Sequence, residues 1–363
     1  MQPLKIGFLG AGGIARAHAY SLQALKYYYE NTPEMELVSV ASLRKESREN
    51  FAGRYDFQRA ESVADFSVNK QINTVFILGP NNTHFAHLKL AMQMPSVTNI
   101  YLEKPVCASE EEELKMKDLL SSASTKFNIQ VGFQYLQTAS VRNALELWRS
   151  GIFGKPVHFD LYYYHGDYLK ASYREKRKSR LTTAPDGGAM ADLGSHGLSL
   201  LVAFFNEDLK ILHAFQAGSF RDVPAGSDLF SSLALYDPHS RAAGNMSASR
   251  ISSGSGDLIR LELYAEKGAL RYSSQTADYF EYYLEDSGRW TRQPVGSKYP
   301  PVTSFPSGHV PPGWLRAMVH AHYLFLTGDR RNSFVPGLQH GLAVQRLVRE
   351  TADSLQTFRN NVT

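Results

Sequence analysis

The stretch KIGFLGAGGIA, residues 5–15, decides the fold. It sets a short apolar run, Lys5–Leu9, directly against the turn Gly10-Ala-Gly12-Gly13-Ile14-Ala15, and that turn against an amphipathic pattern from about Gly13 to Tyr28. A glycine triplet alone is a weak signal, but strand before and helix after is the context a phosphate-binding turn requires. Gly10 permits the tight turn, Gly12 lets the backbone approach a pyrophosphate, and Ala15 lets the helix pack closely on the strand. At Gly13 and Ile14 the helix start offers unpaired N–H groups and a partial positive charge to phosphates. The alternative is a glycine-rich turn that holds no ligand.

Outward from the turn, apolar runs alternate with helical patterns. Met35–Leu43, Thr74–Leu78, Asn99–Glu103 and Ile129–Phe133 read as strands; Glu46–Tyr55, about Asn82–Met94 and Ser109–Ser124 read as helices. Ser109 followed by Glu112 forms a capping box that marks one helix start. Buried strands alternating with amphipathic helices predict a parallel sheet covered on both faces. After about residue 155 the pattern changes. Val157–Tyr164, Asp228–Tyr236, Ala242–Ile251, Asp257–Ala265 and Tyr279–Glu285 predict a mostly antiparallel sheet, with helices at about Gly313–Leu326 and Leu338–Phe358 closing the chain. The expected fold is therefore an α/β Rossmann domain, residues 1–128, followed by an α+β domain with a large, mostly antiparallel open sheet, residues 129–363.

Composition narrows the function classes. A chain of 363 residues with 43% hydrophobic and 20% charged residues fits two ordinary globular domains. A net charge of +4 is small for this size. The longest basic run, Arg174–Arg180, contains an acid and no groove-reading helix, so no nucleic-acid partner is expected. The single cysteine, Cys107, rules out an intrachain disulfide or a cysteine-based zinc site. No apolar run is long enough for a signal peptide or a membrane span, so the expected protein is soluble and cytoplasmic. His309, His320, His322 and His340 lack metal-ligand spacing, and no metal is expected. Tyr27-Tyr28-Tyr29 reads as a helix end packed on the sheet or as part of a partner surface, and Cys107 as a small buried thiol.

The end of the second strand bears on the cofactor. An acid there would bind a ribose 2′-hydroxyl, whereas a basic residue accommodates a 2′-phosphate. The sequence reads Ala41-Ser42-Leu43-Arg44-Lys45, with no acid before Glu46. Ser42, Arg44 and Lys45 therefore favour NADP over NAD.

Four motifs in order resemble the glucose–fructose oxidoreductase / inositol dehydrogenase / rhizopine-catabolism (Gfo/Idh/MocA) family. They are the glycine turn; Gly79-Pro80-Asn81-Asn82-Thr83-His84; Glu103-Lys104-Pro105 at a strand end; and Gly187-Gly-Ala-Met-Ala-Asp192-Leu-Gly-Ser-His196 in the second domain. The resemblance covers residues 4 to about 205. It implies an NAD(P)-dependent oxidoreductase that transfers hydride to or from a sugar, cyclitol or related polyhydroxy compound. It places Pro80, Asn81, His84, Glu103 and Lys104 near the cofactor, and gives Lys104 the reacting oxygen and the nicotinamide ribose. The chemistry agrees: alcohol oxidation needs a base for the hydroxyl proton and a donor near the oxygen. His196 is the candidate acid/base, since an unperturbed imidazole titrates near neutral pH. Asp192, four residues earlier, shares a helical face with it. For each of these the plainer alternative is a solvated lysine, a surface Asp/His pair, and a cap at Asn82 beside an exposed His84.

The chain departs from the family pattern at three places. Gly79 replaces the usual Thr, and Gly197 and Ser199 stand where many members carry acids, which alters the expected substrate contact. Tyr162-Tyr-Tyr164-His165 to Tyr173-Arg174 is the expected substrate wall, with Tyr135 and Gln134 also near; its rings and hydroxyls suit a sugar, and ordinary sheet packing is the alternative. The expected substrate contacts are Tyr135, His165, Tyr173 and Arg174. One free face of the second sheet predicts a homodimer or homotetramer. Two other readings stay open: a redox-neutral hydrolase or lyase that keeps its dinucleotide bound, and a dinucleotide-responsive regulator without activity, against which the presence of Lys104, Asp192 and His196 argues.

Overall fold

The computed structural model describes residues 3–29, 32–123, 126–181, 187–218, 220–224, 226–295, 312–328 and 334–362. His309 lies outside them. The chain forms two compact units, Met1–Gln134 with Leu315–Leu342, and Tyr135–Trp314 with Ala343–Thr363.

In the first unit the elements run β1 (Leu4–Leu9), α1 (Gly13–Tyr28), β2 (Met35–Ala41), α2 (Lys45–Tyr55), β3 (Arg59–Glu61), α3 (Val63–Ser67), β4 (Thr74–Ile77), α4 (His84–Gln93), β5 (Asn99–Leu102), α5 (Glu110–Ala123) and β6 (Asn128–Val131). The six strands lie in the order β3-β2-β1-β4-β5-β6, all pairs parallel, as in the doubly wound dinucleotide fold. β1 and β4 bury nearly every side chain, which explains their unbroken apolar runs. The capping box forms: Glu112 N donates to Ser109 Oγ at 3.2 Å, and Ala108 N to Glu112 Oε2 at 2.9 Å.

The first unit also takes up Leu315–Leu342, which the sequence reading had left in the second domain. That segment holds most of α9 (Pro312–Thr327) and the start of α10 (Leu338–Val362). Tyr29 stacks on Tyr323 with ring centroids 4.0 Å apart and hydrogen-bonds His320 at 2.6 Å. Phe325 sits edge-on to Phe76 and Tyr101. On the β6 side Gln130 donates to the Ala321 carbonyl, and Val131 N–H to that of Pro336. Of the tyrosine triplet, Tyr29 packs inward while Tyr27 is exposed.

The second unit carries α6 (Ala139–Arg149), β7 (Pro156–Tyr164), α7 (Ala171–Lys176), α8 (Ser195–Phe204) and β8 (Lys210–Ala217) to β14 (Arg289–Pro294). Between the last two lie β9 (Phe230–Tyr236), β10 (Ala243–Ser249), β11 (Leu258–Ala265), β12 (Gly268–Ser273) and β13 (Tyr279–Leu284). Its eight-stranded sheet has the order β14-β13-β12-β11-β7-β10-β9-β8, antiparallel throughout except for the β7–β10 pair. Alternation along β7 buries Phe159, Leu161 and Tyr163 on one face, against which α8 lies. Every side chain of α8 is buried, and Gly197 is what lets it press on the sheet: a Cβ there would come within 2.7 Å of Leu161 and Met246. A side chain at position 197 would therefore point into the core.

Among the described residues no helix is long and apolar enough to cross a membrane, and no group of three His, Cys, Asp or Glu side chains could hold a metal ion.

Candidate active site

The glycine turn has the shape its sequence requires. Gly10 adopts φ +130°, and a Cβ on it would lie 2.5 Å from the Leu78 carbonyl carbon, so only glycine lets β1 turn this close to β4. Gly12 and Gly13 open to empty space instead: a Cβ on either would meet nothing within 4 Å. α1 starts there without a side-chain cap and without an acid in its first turn. Backbone N–H groups thus face an open volume at a helix N-terminus, with Ile14 half-buried below, which fits a dinucleotide pyrophosphate.

At the end of β2, Leu43, Arg44 and Lys45 are exposed, and Ser42 Oγ donates to the Arg44 carbonyl at 3.1 Å. Past β4, Pro80 and Asn81 lead into α4. His84 is not the exposed side chain of the alternative reading; it is 1% exposed and clamped between two carbonyls, Nδ1 2.6 Å from Pro105 O and Nε2 3.0 Å from Gly79 O. Burial lowers its pKa, and the two carbonyls oppose that shift. The clamp joins the end of β4 to the Lys104 turn, where the Lys104–Pro105 bond is cis. A Cβ at Gly79 would lie 2.6 Å from the Thr83 hydroxyl, which donates to the Pro80 carbonyl at 2.7 Å. Lys104 lies two residues past β5 and is half-buried, and Glu103 Oε2 accepts its backbone N–H at 3.2 Å. Cys107 is fully buried, its thiol pushed up to about 12 by desolvation, which leaves it unreactive.

In the second unit Asp192 and His196 straddle a change of helix type. Met190–Gly194 winds as a π-helix and α8 follows from Ser195, rather than the single regular helix expected. Such wide turns recur at functional sites. Asp192 Oδ2 accepts from Arg250 at 2.8 Å, a guanidinium that is itself 1% exposed, with Arg180 4.0 Å away. His196 is buried, its ring edge-on to Tyr135 at 5.1 Å and tilted against Tyr163 at 6.0 Å. Tyr135 and Tyr163 share a hydrogen bond of 3.1 Å, and Tyr163 donates to Asp257 Oδ1 at 2.9 Å. Desolvation raises the pKa of Asp257 and lowers that of His165, each set against the other's charge.

The structure thus brings Asp192 together with Arg250, and His196 with Tyr135 and Tyr163, the latter bonded to Asp257. The sequence reading missed Arg250 and Asp257. The one signal for Asp257 was the turn Gly254-Ser-Gly256-Asp257 ahead of β11, where Asp257 adopts φ +49°, a conformation Asp tolerates better than most residues. Arg174 is a correction. It is buried, bonds Asp222 through two nitrogens, donates to the Tyr168 and Leu169 carbonyls and lies 4.0 Å over the Phe220 ring. These partners make it a clamp on its own loop rather than a substrate ligand. Tyr173 packs with Tyr168, Leu181 and Leu229 in a small core beside it.

The model described as "Oxidoreductase family, NAD-binding Rossmann fold" matches residues 4–133, and that of the GFO/IDH/MocA C-terminal domain matches residues 141–271. The chain belongs to the Gfo/Idh/MocA family. Its first unit is the family's NAD-binding Rossmann domain. Glucose-6-phosphate 3-dehydrogenase of Bacillus subtilis is 27% identical over 210 residues, 56% of this chain; the match spans only 54% of that protein. Levoglucosan dehydrogenase of Pseudarthrobacter phenanthrenivorans is 23% identical over 306 residues, 77% of this chain and 75% of that protein. A solved levoglucosan dehydrogenase, in complex with NADH, superposes with a TM-score of 0.83 at 18% identity, over 98% of both chains, and shares the fold.

Proposed function

We propose that this protein is an NAD(P)-dependent dehydrogenase or reductase acting on a CH–OH group of a sugar, cyclitol or related polyhydroxy compound. The observation that carries the reading is the open glycine cradle at the start of α1, in the same unit in which Lys104 lies two residues past the end of β5. Dinucleotides bind at the carboxyl ends of such strands, so Lys104 stands where a cation can serve the nicotinamide. The bound dinucleotide would supply the hydride acceptor or donor; its pyrophosphate would be held by Gly10, Gly12, Gly13 and Ile14, with Pro80, Asn81 and Glu103 beside the remainder.

Lys104 polarises the reacting oxygen. His196 exchanges its proton, and Asp192, fixed by Arg250, orients the substrate or the imidazole. Tyr135, His165 and Asp257 offer the hydrogen-bonding groups and ring faces that a polyhydroxylated ligand needs. Ser42, Arg44 and Lys45, with no acid among them, favour NADP(H). The names of both curated relatives support a carbohydrate substrate.

The test is to follow the near-ultraviolet absorbance of reduced nicotinamide across a panel of sugars, sugar phosphates, cyclitols and their keto forms, with both cofactors. Net reduction or oxidation with at least one member is expected. A dinucleotide that binds but never turns over, while a substrate is cleaved, would favour the redox-neutral reading instead.

A further inference from the structure

The Glu103 carboxylate that accepts the Lys104 N–H does not stand alone. Its Oε1 lies 2.9 Å from His18 Nε2, and His18 Nδ1 lies 2.8 Å from His322 Nε2. All three are buried: both histidines are 0% exposed and Glu103 is 5%. They come from α1, the end of β5 and α9, elements far apart in sequence, yet all within the first unit. The rings sit among Phe76 and Tyr101, with no water-facing side. Gly132 closes the far side, since a Cβ there would lie 2.5 Å from Glu103 Oε1.

Proton arithmetic orders the chain. A carboxylate only accepts, so His18 donates to it through Nε2. With one proton per ring, His18 Nδ1 then accepts from His322 Nε2, and His322 Nδ1 keeps a bare lone pair; no donor reaches that atom among the described residues. Burial and the neighbouring His18 push the His322 pKa well down, in keeping with one proton on that ring. Two aromatic rings thereby hold one carboxylate, and the carboxylate holds the main chain from which the Lys104 side chain departs.

We propose that His18 and His322 are positioning residues for Lys104, acting through Glu103, and that a buried chain reaching from α9 to the end of β5 fixes the geometry of the transfer step. This rests on the role given to Lys104 above. Misplacing a reacting group by about an ångström costs up to about a hundredfold in rate. The full-length His322→Leu variant should therefore lose about ten- to hundredfold in kcat while its NADH Kd stays within about twofold. His322→Gln, whose amide can still donate to His18, should recover most of that loss. A packing role gives the opposite order, because Leu suits the surrounding Phe76 and Tyr101 better than Gln does.

Equal kcat in both variants, or Gln no better than Leu, overturns the proposal. If neither variant folds, nitrogen NMR of the wild-type histidine rings decides: both rings should carry the proton on Nε2, and a proton on Nδ1 of either ring overturns the chain. Lys104→Met measured alongside separates the two claims. Unchanged kcat there would refute the role of Lys104 and the proposal with it, whereas a large loss there with an unaffected His322→Leu would refute the positioning chain alone.

Discussion

Arg44 shows what a single residue can decide. It is exposed at the entry to α2, beside Ser42 and Lys45, where a 2′-phosphate would meet a guanidinium instead of a carboxylate. Arg44→Ala should weaken NADPH about tenfold or more, as expected for a charge-assisted contact of roughly 1.5–3 kcal/mol, and leave NADH nearly unchanged. Fluorescence titration of both cofactors checks this; equal losses for both, or a clear wild-type preference for NADH, would remove the phosphate-binding role. Lys104, His196 and Arg44 could be named as candidates from the sequence because local spacing singles them out: a strand end, an Asp four residues before a His, the end of a second strand. Arg250 and Asp257 were not. Each acquires its role from partners far along the chain, Asp192 at 58 positions and Tyr163 at 94. Arg174 misled for the same reason: a basic residue near aromatics resembles a ligand until its own burial and its partner Asp222, 48 positions away, are seen.

At the scale of elements, the glycine turn separates two demands that a motif combines. Gly10→Ala forces a side chain onto the Leu78 carbonyl at positive φ, and should destabilise the first unit by about 1–3 kcal/mol. Gly12→Ala enters open space at φ −89°, so its melting temperature should hold while dinucleotide affinity falls about tenfold, because the methyl stands where backbone must approach the ligand. Melting curves and titrations on both variants check the contrast; equal melting temperatures would refute the steric account of Gly10. The parallel strands were readable because two covered faces impose unbroken apolar runs. β3, β8, β12 and β14 were not. β3 has three residues, and β14 is an exposed edge, RWTRQP, whose charges guard against further pairing and hide the alternation. The π turn before α8 also escaped, since a change of helical pitch leaves no mark in hydrophobic spacing.

For the whole molecule, the sequence order of the two folds was apparent, but the return of Leu315–Leu342 to the first unit was not; amphipathic periodicity says that a helix is buried, not against what. The second sheet presents Tyr162, Tyr164, Phe215 and Tyr264 on the face opposite its core, with Tyr162 and Tyr164 stacked at 4.6 Å. Aromatic side chains in such number on one open face suit burial against a second copy. Sedimentation at micromolar concentration should give a dimer or tetramer, and a species of 40.6 kDa alone would refute that assembly. The central claim is that Lys104 and His196 carry hydride transfer on a dinucleotide held by the glycine turn. Steady-state kinetics of His196→Ala and Lys104→Met on the substrate found in the panel, with NAD(P)H binding measured separately on each folded variant, tests it most directly. The account predicts turnover lower by about 10²–10⁴ in both, with cofactor affinity nearly unchanged for His196→Ala. Near wild-type turnover in both variants would place the chemistry elsewhere in the molecule.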